Sequence, residues 1–237
     1  MSLLTMVQQA SALIGIQTPT VVVGNTDQNV TQLLALAQTE GVTLARQYNW
    51  SALSKLVTIT TVASEDQGAV STVLGTDIDR LVAGTAWDRS LIRPLPGPRS
   101  PQAWAQDHAL VAAGPFYGFR IYDGHLWIFP VPPAGRMMSF EYVSNGWCQS
   151  AGGSPQSLWA ADSDTGVLDE TLMGLGLVVR FKRAKGLDYA EDMRDYEVML
   201  ANRKSTDGGG PATKSLTGRN SRYPAWPVLP DGNWPSS

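Results

Sequence analysis

The spacing of apolar residues changes twice along this chain, and these changes limit the folds that it can adopt. Residues 27–48 and 168–200 carry apolar side chains at helical spacing, so that each segment has one apolar face. Between them, residues 57–62 and 138–143 alternate with a period of two, which is typical of strands. We therefore predict helices at both ends of the chain and strands in its middle.

Capping and turn residues set the expected ends of these elements. A first helix stops at Gly15, and the helix over 27–48 is capped by Asn25, Thr26 or Asp27. A third helix ends at Gly186. A fourth begins with Asp188 and Glu191, which have capping-box spacing. In the middle, strands are predicted over 80–87, 116–122 and 125–129, with Asp123-Gly124 as a tight turn, and a short helix over 101–111 begins after Ser100.

The two helical segments bury their apolar stripes most economically against each other. This predicts an α+β protein with a discontinuous helical bundle, residues 1–50 and 158–205. An antiparallel β module over 51–157 is inserted between its two parts. Residues 206–237 are rich in Gly, Pro and Ser and are expected to form an extended C-terminal arm.

Charge and cysteine content exclude several classes of protein. The 237 residues carry 18 basic and 21 acidic side chains, a net charge of −3, which does not fit a protein that clamps nucleic acid by neutralising phosphates. Cys148 is the single cysteine, so an internal disulfide framework is impossible. No apolar run reaches the roughly 18 residues of a membrane span, and the first 16 residues do not resemble a secretory signal. We expect no membrane partner.

Few residues offer catalytic or metal-binding chemistry. His108 and His125 fall in different predicted elements, and neither a phosphate-binding loop nor a nucleophile elbow is present. We predict no enzyme activity, no metal and no cofactor. The acidic residues before the second helical segment leave two interpretations open, helix capping or a hard-cation or hydrolytic site; capping is favoured because acids complement a helix N-terminus. They are Asp162, Asp164, Asp169 and Glu170.

A run of cations at the end of one helix is followed at once by a run of acids. The residues that we predict to contact a neighbouring copy are Arg180, Arg183, Lys185, Asp188, Asp192 and Asp195. Opposite charges on two flanks would suit the heterologous contacts of a closed ring. A solvated charged surface and a DNA-facing patch are the alternatives, because cations are expected near a helix C-terminus in any case.

Eight tryptophans are many for a chain of this size. Trp50, Trp87, Trp127 and Trp147 are expected in the core or at sheet edges, each with its indole N–H bonded. The arm carries three further aromatic residues, Tyr223, Trp226 and Trp234. Exposed aromatic side chains are costly unless they dock, so the arm either binds a partner or folds back onto its own domain.

Several segments resemble the head-to-tail adaptor (connector) proteins of short-tailed bacteriophages. The resemblance covers most of residues 3–207. Its segments are Leu13-Ile14-Gly15, Tyr48-Asn49-Trp50, Tyr122-Asp123-Gly124-His125-Leu126, Phe140-Glu141-Tyr142-Val143-Ser144-Asn145-Gly146-Trp147, Ala161-Asp162-Ser163-Asp164-Thr165 and Ala184-Lys185-Gly186-Leu187-Asp188-Tyr189-Ala190. No match is found for the arm beyond residue 210.

The resemblance implies a homo-oligomeric ring of about twelve copies in the neck of the virion, made in the host cytoplasm. Such a ring joins the portal protein to a tail or nozzle protein, and double-stranded DNA passes through its lumen without sequence-specific binding during ejection. In related connectors the C-terminal segment docks on the portal, which would give Tyr223, Trp226 and Trp234 that role. The alternative is a tail-associated carbohydrate- or receptor-binding β module, which predicts solvent-exposed tryptophans on the sheets.

Overall fold

The computed structural model describes residues 1–109 and 117–207, and it confirms the α+β class. Four longer helices come from the two ends of the chain, and two shorter ones lie in the middle. Their bounds are α1 Leu3–Ile14, α2 Gln28–Gln47, α3 Val70–Val73, α4 Pro101–Ala109, α5 Glu170–Lys185 and α6 Ala190–Asp207. No helix within the described ranges is both long and apolar enough to span a membrane.

The predicted helix ends are confirmed. The Asp27 carboxylate accepts the backbone N–H groups of Asn29 and Val30 at 2.8 and 3.2 Å, so it satisfies donors that a helix start leaves unpaired. Gly15 and Gly186 end α1 and α5 with φ angles of 79° and 71°, in the left-handed region that glycine adopts readily.

Eleven short strands form three antiparallel sheets in the described ranges. The strands are β1 Ser54–Thr60, β2 Asp66–Ala69, β3 Ile78–Leu81, β4 Trp87–Asp88, β5 Arg93–Pro94, β6 Gly118–Tyr122, β7 His125–Phe129, β8 Met137–Ser144, β9 Cys148–Gln149, β10 Pro155–Gln156 and β11 Thr165–Gly166. β8 is central: it pairs with β1 on one side and with β3 and β4 on the other, and β5 continues the sheet beyond β4.

The prediction of one strand over 80–87 is wrong. Leu81 pairs with Tyr142 of β8, and Trp87 pairs with Ser139. Leu81 and Trp87 are six residues apart, but their partners on β8 are three residues apart. The surplus residues leave the sheet in a turn at Gly84, whose φ is 79°. The chain therefore forms two strands, β3 and β4, along the same edge of β8.

The predicted hairpin is confirmed. β6 and β7 pair from Gly118↔Phe129 to Tyr122↔His125, and β2 completes this three-stranded sheet on the other side of β7. Asp123 and Gly124 both have positive φ, 52° and 71°, as a two-residue turn between twisted strands requires. Phe116, where we expected the first strand to begin, lies outside the described residues.

Two hydrophobic cores lie on either side of β8. The helical core is formed by α1, α2, α5 and α6, and it includes Trp147 and Cys148 from the segment that follows β8. The second core lies within the β module, around Phe119, Ile128 and Phe140. The residues after β8 thus belong by packing to the helices, although they fall inside the predicted insertion.

A hydrogen-bonded carboxylate fixes the edge of the central sheet. Asp77 accepts bonds from the Lys55 ammonium at 2.6 Å, the Ser144 hydroxyl at 2.8 Å and the Tyr142 hydroxyl at 3.0 Å. Burial acts to raise the pKa of Asp77, but the three donors and the charge of Lys55 outweigh it, and the pKa is lowered from 3.8. The ionised form of Asp77 therefore stabilises the folded state.

We expect Asp77→Asn to reduce stability at neutral pH by about 1 kcal/mol and to matter less in acid. A lowered folded-state pKa contributes stability that is present above the unfolded pKa and is lost as the pH falls through the folded pKa. The difference between the two proteins should therefore be full at pH 7 and shrink below about pH 4, in urea unfolding at several pH values. Asp123→Asn, at the exposed hairpin tip, is the control. A difference that stays constant down to pH 2 would contradict the assignment.

Candidate functional site

The charged hairpin of α5 and α6 holds most of the residues that the sequence singled out. Two ion pairs, one at each end, show that the helices run antiparallel. Lys182 near the end of α5 binds Asp192 near the start of α6 at 2.6 Å, while Arg203 near the end of α6 binds Asp169 at the start of α5. These four charged side chains therefore join the two helices of the hairpin.

Two of the residues predicted to contact a neighbouring copy are paired within the protomer. The Arg180 guanidinium donates to Glu40 of α2 at 2.5 Å, and Asp192 binds Lys182. Arg180 faces inward because it lies one turn after the buried residues Gly176 and Leu177 on a helix that packs against α2. The sequence pattern could not distinguish these intramolecular pairs from contacts between copies.

The other four predicted contact residues are exposed. Lys185 donates to the Asn29 side chain at 3.1 Å and lies 5.3 Å from the Phe181 ring centroid. Asp188 accepts the backbone N–H of Ala190 at 3.1 Å, so it caps α6 as expected. Arg183 and Asp195 point to solvent. Contact of these residues with another copy stays a prediction.

A buried polar network that the sequence prediction missed joins three helices. Glu40 of α2 is 2% exposed; it accepts the Arg180 guanidinium and, at 2.7 Å, the Tyr196 hydroxyl of α6. Burial and then the charge of Glu40 raise the pKa of Tyr196, which therefore stays protonated as a donor. Gly176 of α5 leaves room for this carboxylate, since a Cβ there would overlap it. The network fixes α2, α5 and α6 relative to one another.

One sequence signal could have revealed this network. Glu40 lies on the apolar face of α2, three residues after Ala37 and four before Leu44, both of which are buried. A charge in the middle of an apolar stripe requires a buried partner. Arg180 lies 140 residues away from Glu40 in the sequence, so the sequence alone does not show which residue is the buried partner.

The four acidic residues before α5 bind backbone amides and do not converge on one pocket. Asp162 accepts the N–H groups of Val22 and Val23, at 3.0 and 2.7 Å, and so holds the loop between α1 and α2. Asp164 is bonded to two amides of its own turn. Asp169 caps α5 through Leu172 N–H at 2.9 Å, and Glu170 accepts Gly166 N–H at 2.9 Å. The capping prediction is therefore confirmed for Asp169, whereas Asp162, Asp164 and Glu170 bond amides outside α5. Amide bonding by all four carboxylates favours a structural role over a cation or hydrolytic site.

Both histidines are engaged with neighbouring carboxylates. His108 lies 3.0 Å from Glu65 and stacks on Phe129 with ring centroids 3.9 Å apart. His125 lies 3.0 Å from Asp66. Backbone hydrogen bonding from Gly68, followed by the bond to His125, lowers the pKa of Asp66. The two pairs attach α4 and β7 to adjacent residues at the start of β2, which is an arrangement suited to holding elements together.

The cysteine and the tryptophans are used for packing. Cys148 is fully buried, and burial raises its pKa to about 12, so a reactive thiolate is disfavoured. Trp50 is buried with its N–H donated to the Leu44 carbonyl at 2.7 Å, as predicted. Trp147 is buried too, but its indole N–H has no partner among the described residues, so that prediction is wrong there. Described tryptophans on the sheets are at least partly buried.

Within residues 1–109 and 117–207, no group of three or more His, Cys, Asp or Glu side chains could hold a metal ion. The predicted arm residues Tyr223, Trp226 and Trp234 lie outside the described residues. Comparison of the chain with protein-family models gave no match, and comparison with curated proteins gave none either.

Proposed function

We propose that this protein is a structural component of a virion: a head-to-tail adaptor that forms a ring, joins a portal to a tail and surrounds the path of the DNA. The observation that carries the proposal is the helical bundle built from both ends of the chain. Its interior is fixed by the Glu40–Arg180–Tyr196 network, and the β module is inserted between its halves. A bundle whose helices are joined by a buried network suits a part that transmits position between two assemblies.

The use of the polar side chains agrees with this mechanical role. Asp162 bonds amides of the distant loop between α1 and α2, the histidines tie α4 and β7 to the start of β2, and the thiol is buried. Each of these groups contributes to holding elements together. A joining protein needs this, whereas an enzyme needs a nucleophile or base that faces a substrate.

The charge balance suits a DNA conduit. A net charge of −3 gives the chain no cationic excess with which to neutralise phosphates, so a duplex in the lumen would not be held electrostatically. We propose that the DNA passes without sequence-specific contacts.

The portal interaction is testable through the arm. A full-length variant with Tyr223, Trp226 and Trp234 all changed to alanine should lose binding to the purified portal by at least about tenfold, since aromatic anchors dominate interface energies. Circular dichroism checks that the fold over residues 1–109 and 117–207 is retained, which the docking role requires. A matched triple variant in the β module, with Tyr122, Trp104 and Trp127 changed to alanine, should keep portal binding. Equal binding by the arm variant and the natural chain would refute this docking role.

A further inference from the structure

The turn between β4 and β5 holds an isoleucine that is both conformationally strained and exposed. Ile92 has a φ of 55°, in the left-handed region that branched side chains avoid. It is also 71% exposed, the highest fraction among the large apolar residues that the structure describes. The positive φ destabilises an isolated protomer, whereas an asparagine or glycine would adopt it at little cost and expose no apolar side chain. A side chain that costs stability in this way is expected to act in a contact.

The surrounding residues hold this turn in one conformation. The buried Asp88 carboxylate accepts the N–H groups of Ser90 and Leu91, both at 2.9 Å, and is itself bound to Arg136 at 3.2 Å. The turn therefore presents Ile92 rigidly, which reduces the entropy that a contact would have to overcome.

Ile92 is accompanied by a second apolar side chain and by cations. Met137, half exposed, lies beside the turn because its carbonyl accepts Arg89 N–H at 2.9 Å. Arg89 and Arg93 flank Ile92 in the chain, and both are exposed. We name Arg89, Ile92, Arg93 and Met137 the hairpin patch. It is an apolar knob with a cationic rim, and its complement is an apolar spot with an acidic rim.

The outer side of α6 has that complementary character. Val198 is 55% exposed, and Asp195 and Glu191 are exposed one and two turns before it on the same side of the helix. Arg194 is the one basic residue between Glu191 and Val198. We name Glu191, Asp195 and Val198 the α6 face. It lies in the helical bundle, whereas the hairpin patch lies in the β module.

We propose that the hairpin patch of one copy binds the α6 face of the next copy, with Ile92 against Val198 and Arg89 near Asp195. The occupant is a second copy of this chain because the two surfaces complement each other in charge and both expose apolar residues at their centres. They are different surfaces of one protomer, so the contact is heterologous and repeats around a closed ring. The inference depends on the proposed adaptor function, and it assigns the ring contact to residues other than Arg180 and Asp192.

Charge reversal tests the pairing. Arg89→Glu and Asp195→Arg, each alone in the full-length chain, should raise the protein concentration needed for ring assembly by at least about tenfold, measured by native mass spectrometry with purified portal present. The double variant should restore assembly. If the wild-type chain forms rings and both single variants assemble equally well, the proposed contact is wrong but the adaptor function still stands. A wild-type chain that forms no ring would overturn both.

Ile92→Asn separates the contact from the fold. Asparagine tolerates a positive φ and carries no apolar surface, so the variant should melt at a higher temperature than the natural chain and yet assemble less well. Val62→Asn, at another half-exposed apolar residue of the β module, is the control and should leave assembly unchanged. An Ile92→Asn variant that assembles as well as the natural chain would overturn the role given to Ile92.

Discussion

Replacing Arg180 with methionine is expected to lower the free energy of unfolding by about 3–5 kcal/mol, because the change leaves Glu40 as an uncompensated buried charge. Glu40 is 2% exposed, and its remaining partner is the Tyr196 hydroxyl, which cannot neutralise it. The methionine retains most of the apolar length of the arginine, so the loss reports on charge rather than on packing. Urea unfolding followed by circular dichroism measures this difference.

Arg183→Met is the matched control, since Arg183 lies on the same helix and is exposed. We expect it to change stability by less than about 0.5 kcal/mol, as surface substitutions usually do. The double variant Glu40→Met with Arg180→Met should recover most of the loss, because a buried ion pair can often be replaced by apolar residues at little cost. Equal effects of Arg180→Met and Arg183→Met would contradict the buried network.

The second large effect is expected at Trp147, which joins the segment after β8 to the helical core. The indole is 2% exposed, lies against Gly41 of α2 so closely that a Cβ there would overlap it, and meets Trp159 edge to face at 5.2 Å. Trp147→Ala removes this contact and leaves a cavity, so unfolding should become easier by about 3–5 kcal/mol.

Two variants make the Trp147 prediction specific. Trp127→Ala, at a partly exposed tryptophan of β7, should cost clearly less than Trp147→Ala in the same unfolding measurement. Trp147→Phe should keep most of the stability, since its indole N–H has no partner to lose in the described part of the chain. A larger loss for Trp127→Ala than for Trp147→Ala would show that the contact with Gly41 is not central to the fold.

Local patterns are sufficient to predict the longer helices and strands, whereas short elements such as β2, α3 and β9 are not predicted. The spacing of the apolar residues predicts α1, α2, α5 and α6, and the turn residues Asp123-Gly124 predict the β6–β7 hairpin. Asp27, Gly15 and Gly186 set helix ends because a cap acts on amides or carbonyls within one turn of itself. Such features depend on neighbours in the chain, which a single sequence displays.

Features that depend on distant partners were not predictable in this way. Asp162 holds the amides of Val22 and Val23, about 140 residues away, although its position before a helix indicated local capping. Residues 78–88 form two strands, β3 and β4, because of their register on β8. The alternation of apolar and polar residues within 78–88 does not determine this register. The sequence predicts contact with another copy for Arg180, because it displays the charge of Arg180 but not its buried partner, Glu40.

The central claim is that this chain works as a joining ring and not as a catalyst or a monomeric binding module. Native mass spectrometry of the full-length chain, alone and mixed with purified portal, tests this most directly. We expect a closed species of about twelve copies, formed by the chain alone or on the portal. A chain that stays monomeric at micromolar concentration in both samples would contradict it.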